Sequence, residues 1–248
     1  MTTCHSGRAA TDCILNALKT EYIWCAPARH CHHIPSTDIK VGPDSVHPVQ
    51  SARVLGVYID GDMTMTTHIN HVLSSCFSAL RQIRSIKQSQ PSHALDTLVT
   101  SLVHSRLDYC NVMSAGLPVG DLQRLQSVLN AAVRLVSNSS SRCSVTPLLR
   151  DRHWLPIRQR VHCKLCTLVY RCLYGEAPDR YAFKPTGSTT AALTYFIHQV
   201  TSLLEKNNYV RCLLIDFSKA FDKVDHIILV QKPACVCCKL DLFVFDGA

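Results

Sequence analysis

An α+β fold, mostly α-helical, is what this sequence predicts, and three observations carry the prediction. Between residues 65 and 175, apolar residues recur at spacings of three and four in four separate stretches, the period of helices that bury one face. Two short runs, 53–60 and 210–215, are instead continuous and rich in apolar and β-branched residues, as buried strands are. Four amphipathic helices must cover their stripes on one another, so residues 65–175 read as a helical bundle accompanied by a little sheet.

Taken in order, residues 1–34 show no clear period, and the Pro, Asp and Ser of 34–48 read as loop. Residues 53–60 are a strand candidate closed by an Asp60-Gly61 turn. Residues 68–87 place Ile69, Val72, Leu73, Cys76, Phe77, Leu80 and Ile83 on one helical face, with Arg81, Arg84 and Lys87 gathered at the end where they suit the helix dipole. Pro91 opens a second helix carrying Leu95, Leu98, Val99, Leu102, Val103 and Leu107. A third runs from about Pro118 through Leu122, Leu125, Val128, Leu129, Ala132, Val133 and Val136, before a polar break at 137–144. The fourth begins near Pro156, carries Ile157, Val161, Leu165, Leu168, Val169 and Leu173, and stops at Gly175. A further helix over 188–205 follows from Leu193, Phe196, Ile197, Val200, Leu203 and Leu204, with Ser188 or Thr189 as its cap and Asn207-Asn208 as its stop. The strand at 210–215 then needs a partner for its edges, and 54–59 is the well-formed candidate.

With 47% hydrophobic and 18% charged residues over 248 positions, the chain can bury a core and does not read as disordered. No apolar run reaches 18 residues and no charged-then-apolar leader opens the chain. Neither a membrane span nor a signal peptide is therefore expected, and the chain reads as intracellular, in nucleus or cytoplasm, and not secreted. Fourteen cysteines without a leader read as reduced thiols and not as a disulfide framework. Cys163-Lys-Leu-Cys166 has zinc spacing but lacks a second ligand pair, and Cys25, His30, Cys31, His32 and His33 lack regular spacing. The formal charge of +8 points to an anionic partner. It is concentrated upstream: residues 1–180 hold 19 Lys/Arg against 12 Asp/Glu, whereas 181–248 hold seven against six. Arg142, Arg150, Arg152, Arg158, Arg160, Lys164 and Arg171 form the densest basic stretch. A solvated surface explains such residues as well as phosphate contact does.

One further stretch carries chemistry. The run from Val210 ends at a carboxylate, Asp216, after which Phe217, Ala220, Phe221 and Val224 fall at helical spacing. A strand that ends in an acid and turns into a helix puts the acid at a sheet rim, where magnesium sites are often built; the same acid can equally cap the helix.

Leu-Leu-Ile-Asp216-Phe-Ser-Lys-Ala-Phe221-Asp-Lys-Val-Asp-His resembles the first palm motif of reverse transcriptases from LINE-type (non-LTR) retrotransposons, and Tyr181-Ala-Phe-Lys-Pro-Thr-Gly-Ser-Thr-Thr-Ala-Ala-Leu193 is similar to the fingers segment before it. The resemblance implies a catalytic role for Asp216 as a ligand of Mg2+. It implies that Phe221 screens the sugar 2′ position of the incoming nucleotide. Leu-Gly-Val-Tyr-Ile-Asp60, Ser-Cys76-Phe-Ser-Ala-Leu-Arg-Gln-Ile-Arg-Ser-Ile, Ser105-Arg-Leu-Asp-Tyr-Cys-Asn, Arg124-Leu-Gln-Ser-Val-Leu-Asn-Ala-Ala-Val-Arg-Leu-Val and His153-Trp-Leu-Pro-Ile look like the post-palm and thumb part of the same enzymes. That part grips an RNA/DNA template–primer, a role the resemblance extends to the basic stretch 142–171.

The matching segments cover 35–178 and 180–232, with 1–34 and 233–248 unassigned, and their order is inverted: thumb-like part first, fingers and first palm motif second. This resembles a junction between two element copies. Two-metal phosphoryl transfer needs several carboxylates, and the family supplies the others from an Asp-Asp pair. No Asp-Asp dipeptide occurs in this chain; Asp60-Gly-Asp62 is the nearest imitation. The expectation is a reverse transcriptase-like fragment that does not polymerise by itself, the alternatives being a non-catalytic basic module that binds RNA or DNA and a relic without function.

Overall fold

Most of the helical periods become helices. The computed structural model describes residues 20–35, 38–41, 44–174, 189–214 and 243–246. Along the chain these form strands β1 (Glu21–Cys25), β2 (Ile39–Val41), β3 (Asp44–Val46), β4 (Pro48–Val49), β5 (Ser51–Val54) and β6 (Val57–Asp60). Helices α1 (Thr66–Ile86), α2 (Ser92–Val99), α3 (Ser105–Asp108), α4 (Val119–Val136), α5 (Val145–Asp151), α6 (Ile157–Leu173) and α7 (Thr189–Leu204) follow, then β7 (Val210–Leu214) and β8 (Phe243–Asp246). The chain is mostly helical with small sheets, and it divides into two compact units, Arg53–Thr201 on one hand and Met1–Ala52 with Ser202–Ala248 on the other.

In the helical unit, α1 packs on α4. Ile69, Val72, Cys76, Leu80 and Ile83 of α1 are buried, as are Leu125, Val128, Leu129, Ala132, Val133 and Val136 of α4. Burial pushes the Cys76 thiol up to about 11. The second predicted helix is present but not uniform: α2 and α3 are joined by a π turn, Thr100–His104. Between the polar break and Pro156 lies a further helix, α5, too short to show a period. Asp60 ends β6 and its Oδ2 accepts the Thr67 N–H at 2.9 Å, while Asp62 Oδ1 accepts from Thr64 N–H and Oγ1 at 3.1 and 2.8 Å. Both carboxylates of the Asp60-Gly-Asp62 turn thus serve the entry to α1.

Two expectations are corrected. Residues 53–60 are not one strand. Leu55 and Gly56 take φ of 47° and 85°, positive values at both central residues as a tight hairpin turn demands, and β5 pairs with β6. The Tyr109 hydroxyl donates to the Leu55 carbonyl at 2.6 Å and holds that turn. The hairpin satisfies itself, so it is not the partner of 210–215. The other correction concerns α6, whose stripe is covered only at its start. Ile157 and Val161 are buried, but Val169, Tyr170 and Tyr174 are 49%, 55% and 67% exposed.

In the other unit β7 finds its partner in the stretch that has no sequence period. A four-stranded sheet runs β4-β1-β7-β8. β1 lies antiparallel to β7 from Glu21↔Leu214 to Cys25↔Val210, β4 lies parallel to β1, and β8 antiparallel to β7. Tyr22, Ile23, Trp24 and Cys25 are all buried. Trp24 meets Tyr209 edge to face at 5.4 Å, and the Arg211 guanidinium lies 5.4 Å from the Trp24 ring centre, within cation–π range. Cys25 and Cys212 stand 3.9 Å apart, sulfur to sulfur. Their mutual hydrogen bond and burial raise the Cys25 thiol pKa.

Candidate nucleic-acid interface

The residues singled out for chemistry are Asp216 and Phe221, and both lie outside the described residues, as does Ile215. The described strand ends at Leu214. Among the described residues no group of three His, Cys, Asp or Glu side chains is placed to hold a metal. Asp60 and Asp62, the nearest imitation of the family's acid pair, are occupied by backbone N–H and hydroxyl donors at the start of α1. Among the described residues, therefore, these carboxylates do not make a magnesium site.

The seven basic residues separate into two kinds. Arg160 is the most enclosed: its Nη1 meets Asp108 Oδ2 at 2.8 Å, its Nε donates to the Leu155 carbonyl at 2.7 Å, and its Nη2 donates to His104 Nδ1 at 3.2 Å. A guanidinium can only donate, so His104 accepts at Nδ1 and carries its proton on Nε2. Burial, then the Arg160 charge, push His104 down to about 4, and its ring stands edge-on to Trp154 at 4.2 Å. Arg152 is likewise held, by Asp96 and by the Ser137 hydroxyl at 3.1 Å. These two arginines tie together segments more than fifty positions apart; their charge is matched inside the fold.

Arg142, Arg150, Arg158, Lys164 and Arg171 are exposed, and none meets a carboxylate among the described residues. Helix α6 positions three of them, Arg158, Lys164 and Arg171, and beyond Val161 its apolar residues Leu165, Val169 and Tyr170 are exposed beside them. A cleft of about 410 Å³ opens beside that helix, lined by Asp108, Asn111, His153, Arg160, Lys164 and Thr167 among others. It joins a cationic amine, hydroxyl and imidazole donors, and one compensated ion pair. Such a surface can hold a phosphate oxygen; Cys163 also lines it. The cysteines of the zinc-like spacing, Cys163 and Cys166, are exposed on the same helix.

Sequence reasoning named the cations but missed the partners Asp96, Asp108 and His104. No local pattern marks a carboxylate whose arginine is 52 or 56 positions away. Comparison of the chain with protein-family models, curated proteins and solved structures gives no match.

Proposed function

We propose that this chain is a fragment related to the reverse transcriptases of LINE-type retrotransposons, whose helical unit holds nucleic acid without sequence preference and does not polymerise by itself. The observation that carries the binding part is the contrast among the basic residues: Arg152 and Arg160 are neutralised by Asp96 and Asp108, while Arg158, Lys164 and Arg171 are exposed along α6 without a carboxylate among the described residues. Uncompensated cations on one exposed helix attract a phosphate backbone by charge and by release of its counterions, and contact no base edge that would specify sequence. The polymerase part is weighed by the palm motif around Asp216 on one side and by the absence of an Asp-Asp pair on the other.

Fluorescence anisotropy with a labelled single-stranded RNA tests the binding. Affinity should fall as salt rises, and replacing Lys164 and Arg171 by Gln should lower the slope of log K against log salt by about one to two. An affinity that ignores salt removes the reading. Primer extension on an RNA template with magnesium and four nucleotides should give no product; extension that disappears in Asp216→Ala would show a complete polymerase site.

A further inference from the structure

Two adjoining depressions in the helical unit, about 290 and 380 Å³, share His71, Ser75 and Arg106. Together they form one groove along α1 from His68 to Gln82, about 21 Å of helix at ~1.5 Å per residue. Arg106 enters it from α3. Its guanidinium donates to the Leu102 carbonyl one turn back and meets no carboxylate among the described residues. Arg124, Arg152 and Arg160 in the same unit each close on an aspartate. A guanidinium carries five N–H donors in a planar fork, so Arg106 has donors left over, in the geometry that fits two oxygens of one oxyanion.

The α1 wall supplies a second set. Ser74, Ser75 and Ser78 line the groove, and none of their hydroxyls has a partner among the described residues, in contrast to Ser85, whose Oγ donates to the Gln82 carbonyl at 2.8 Å. His71 adds an imidazole at the point where the two depressions meet. The carboxylates nearest in sequence to this wall, Asp62 and Asp60, are turned to Thr64 and to the Thr67 N–H. A lone unmatched cation beside several idle hydroxyls suits a tetrahedral oxyanion with more than two oxygens to satisfy, and a phosphoryl group is that anion.

We propose that this groove is a phosphoryl-binding site, with Arg106 as its anchor and the Ser75 and Ser78 hydroxyls as its further donors. It uses no residue of the α6 surface. The phosphoryl group can come from free phosphate or from a nucleic-acid backbone, and the length of the groove accommodates either.

The test is a titration of the full chain with inorganic phosphate at constant ionic strength, followed by the amide resonances of Ser75 and Ser78 and the Arg106 Nε–H. These should shift with phosphate and not with chloride. Arg106→Gln should weaken the response about tenfold or more, the size of one lost charge-assisted contact, with the melting midpoint unchanged. Should that variant not fold, Ser75→Asp places a carboxylate in the groove and must abolish the response equally. Displacement of phosphate by a short single-stranded oligonucleotide identifies the backbone as the source; no displacement identifies free phosphate; both support the site. Resonances that do not move, or that move equally in Arg106→Gln, overturn it. Salt-dependent RNA binding without any phosphate response overturns this inference alone, whereas a phosphate response without RNA binding overturns the α6 reading alone.

Discussion

The helical unit and the four-stranded sheet are held together in opposite ways. In the helical unit, buried residues come from segments whose own period announces the buried face, and polar ties such as Arg160 with Asp108 join helices already formed. In the sheet, β1 and β7 have no such period; each is a short, mostly apolar run with one charged residue, Glu21 or Arg211, and their cysteines, 187 positions apart in sequence, stand side by side. Helices are specified within a few turns, whereas a central strand is specified by whatever it meets.

The largest effects test whether both cores are equally packed. Leu129→Ala, in the fully buried centre of α4, should cost about 3–4 kcal/mol, read from denaturant midpoints. Ile23→Ala, on β1 and 1% exposed, should cost about 3 kcal/mol; a loss near zero would dissolve the sheet half of the comparison. Next comes pH. The folded protein keeps His104 neutral down to about 4, while the unfolded chain takes the proton below about 6.5. The unfolded state therefore binds more protons in that window, and stability falls as pH drops through it, by on the order of 3 kcal/mol. Urea midpoints from pH 7 to 4.5 should show this slope, and His104→Gln should flatten it. Smaller is the ion pair: Arg160→Gln should cost about 1–2 kcal/mol, because Asp108 and the Leu155 carbonyl lose a charged donor. Smallest is the exposed face. Lys164→Gln with Arg171→Gln should change stability by less than about 0.5 kcal/mol, since neither side chain has a partner to lose among the described residues. A larger drop would mean that the far half of α6 is packed after all.

What the sequence made legible follows the same division. The stripes of α1 and α4 gave most of their buried residues, Leu73, Phe77 and Leu122 being the predicted positions that are not buried, because each position is tested locally against the helical period. Strand β7 was legible as a strand but not in its pairing, since nothing in Val210–Leu214 distinguishes Glu21–Cys25 from 54–59 as a mate. The Leu55-Gly56 turn was the available signal that 53–60 folds back, a glycine inside an apolar run. Phe77 and Val169 carry the helical period and are nevertheless 37% and 49% exposed. Periodicity reports which face a helix can bury, and the supply of neighbours decides how much of it is buried. For the basic stretch, residue type was legible and state was not: Arg158 and Arg160 are two positions apart, yet one lies in solvent and the other grips Asp108.

The π turn between α2 and α3 has a consequence for how this chain can change by descent. Over Thr100–His104 the helix is one residue wider per turn, and the Ser105 N–H reaches back five positions to the Thr100 carbonyl. Losing one codon there, Ser101 for instance, would tighten the turn to ordinary α geometry and leave an unbroken helix. Side chains beyond it would keep their places around the axis, because the wide turn already absorbs the one residue removed. Arg106 would stay at its groove and Asp108 at Arg160. The same deletion in a regular turn of α1 or α4 would swing everything downstream by about 100°. The wide turn is therefore the one described place on this helix where the chain can lose a residue and keep what lies beyond it.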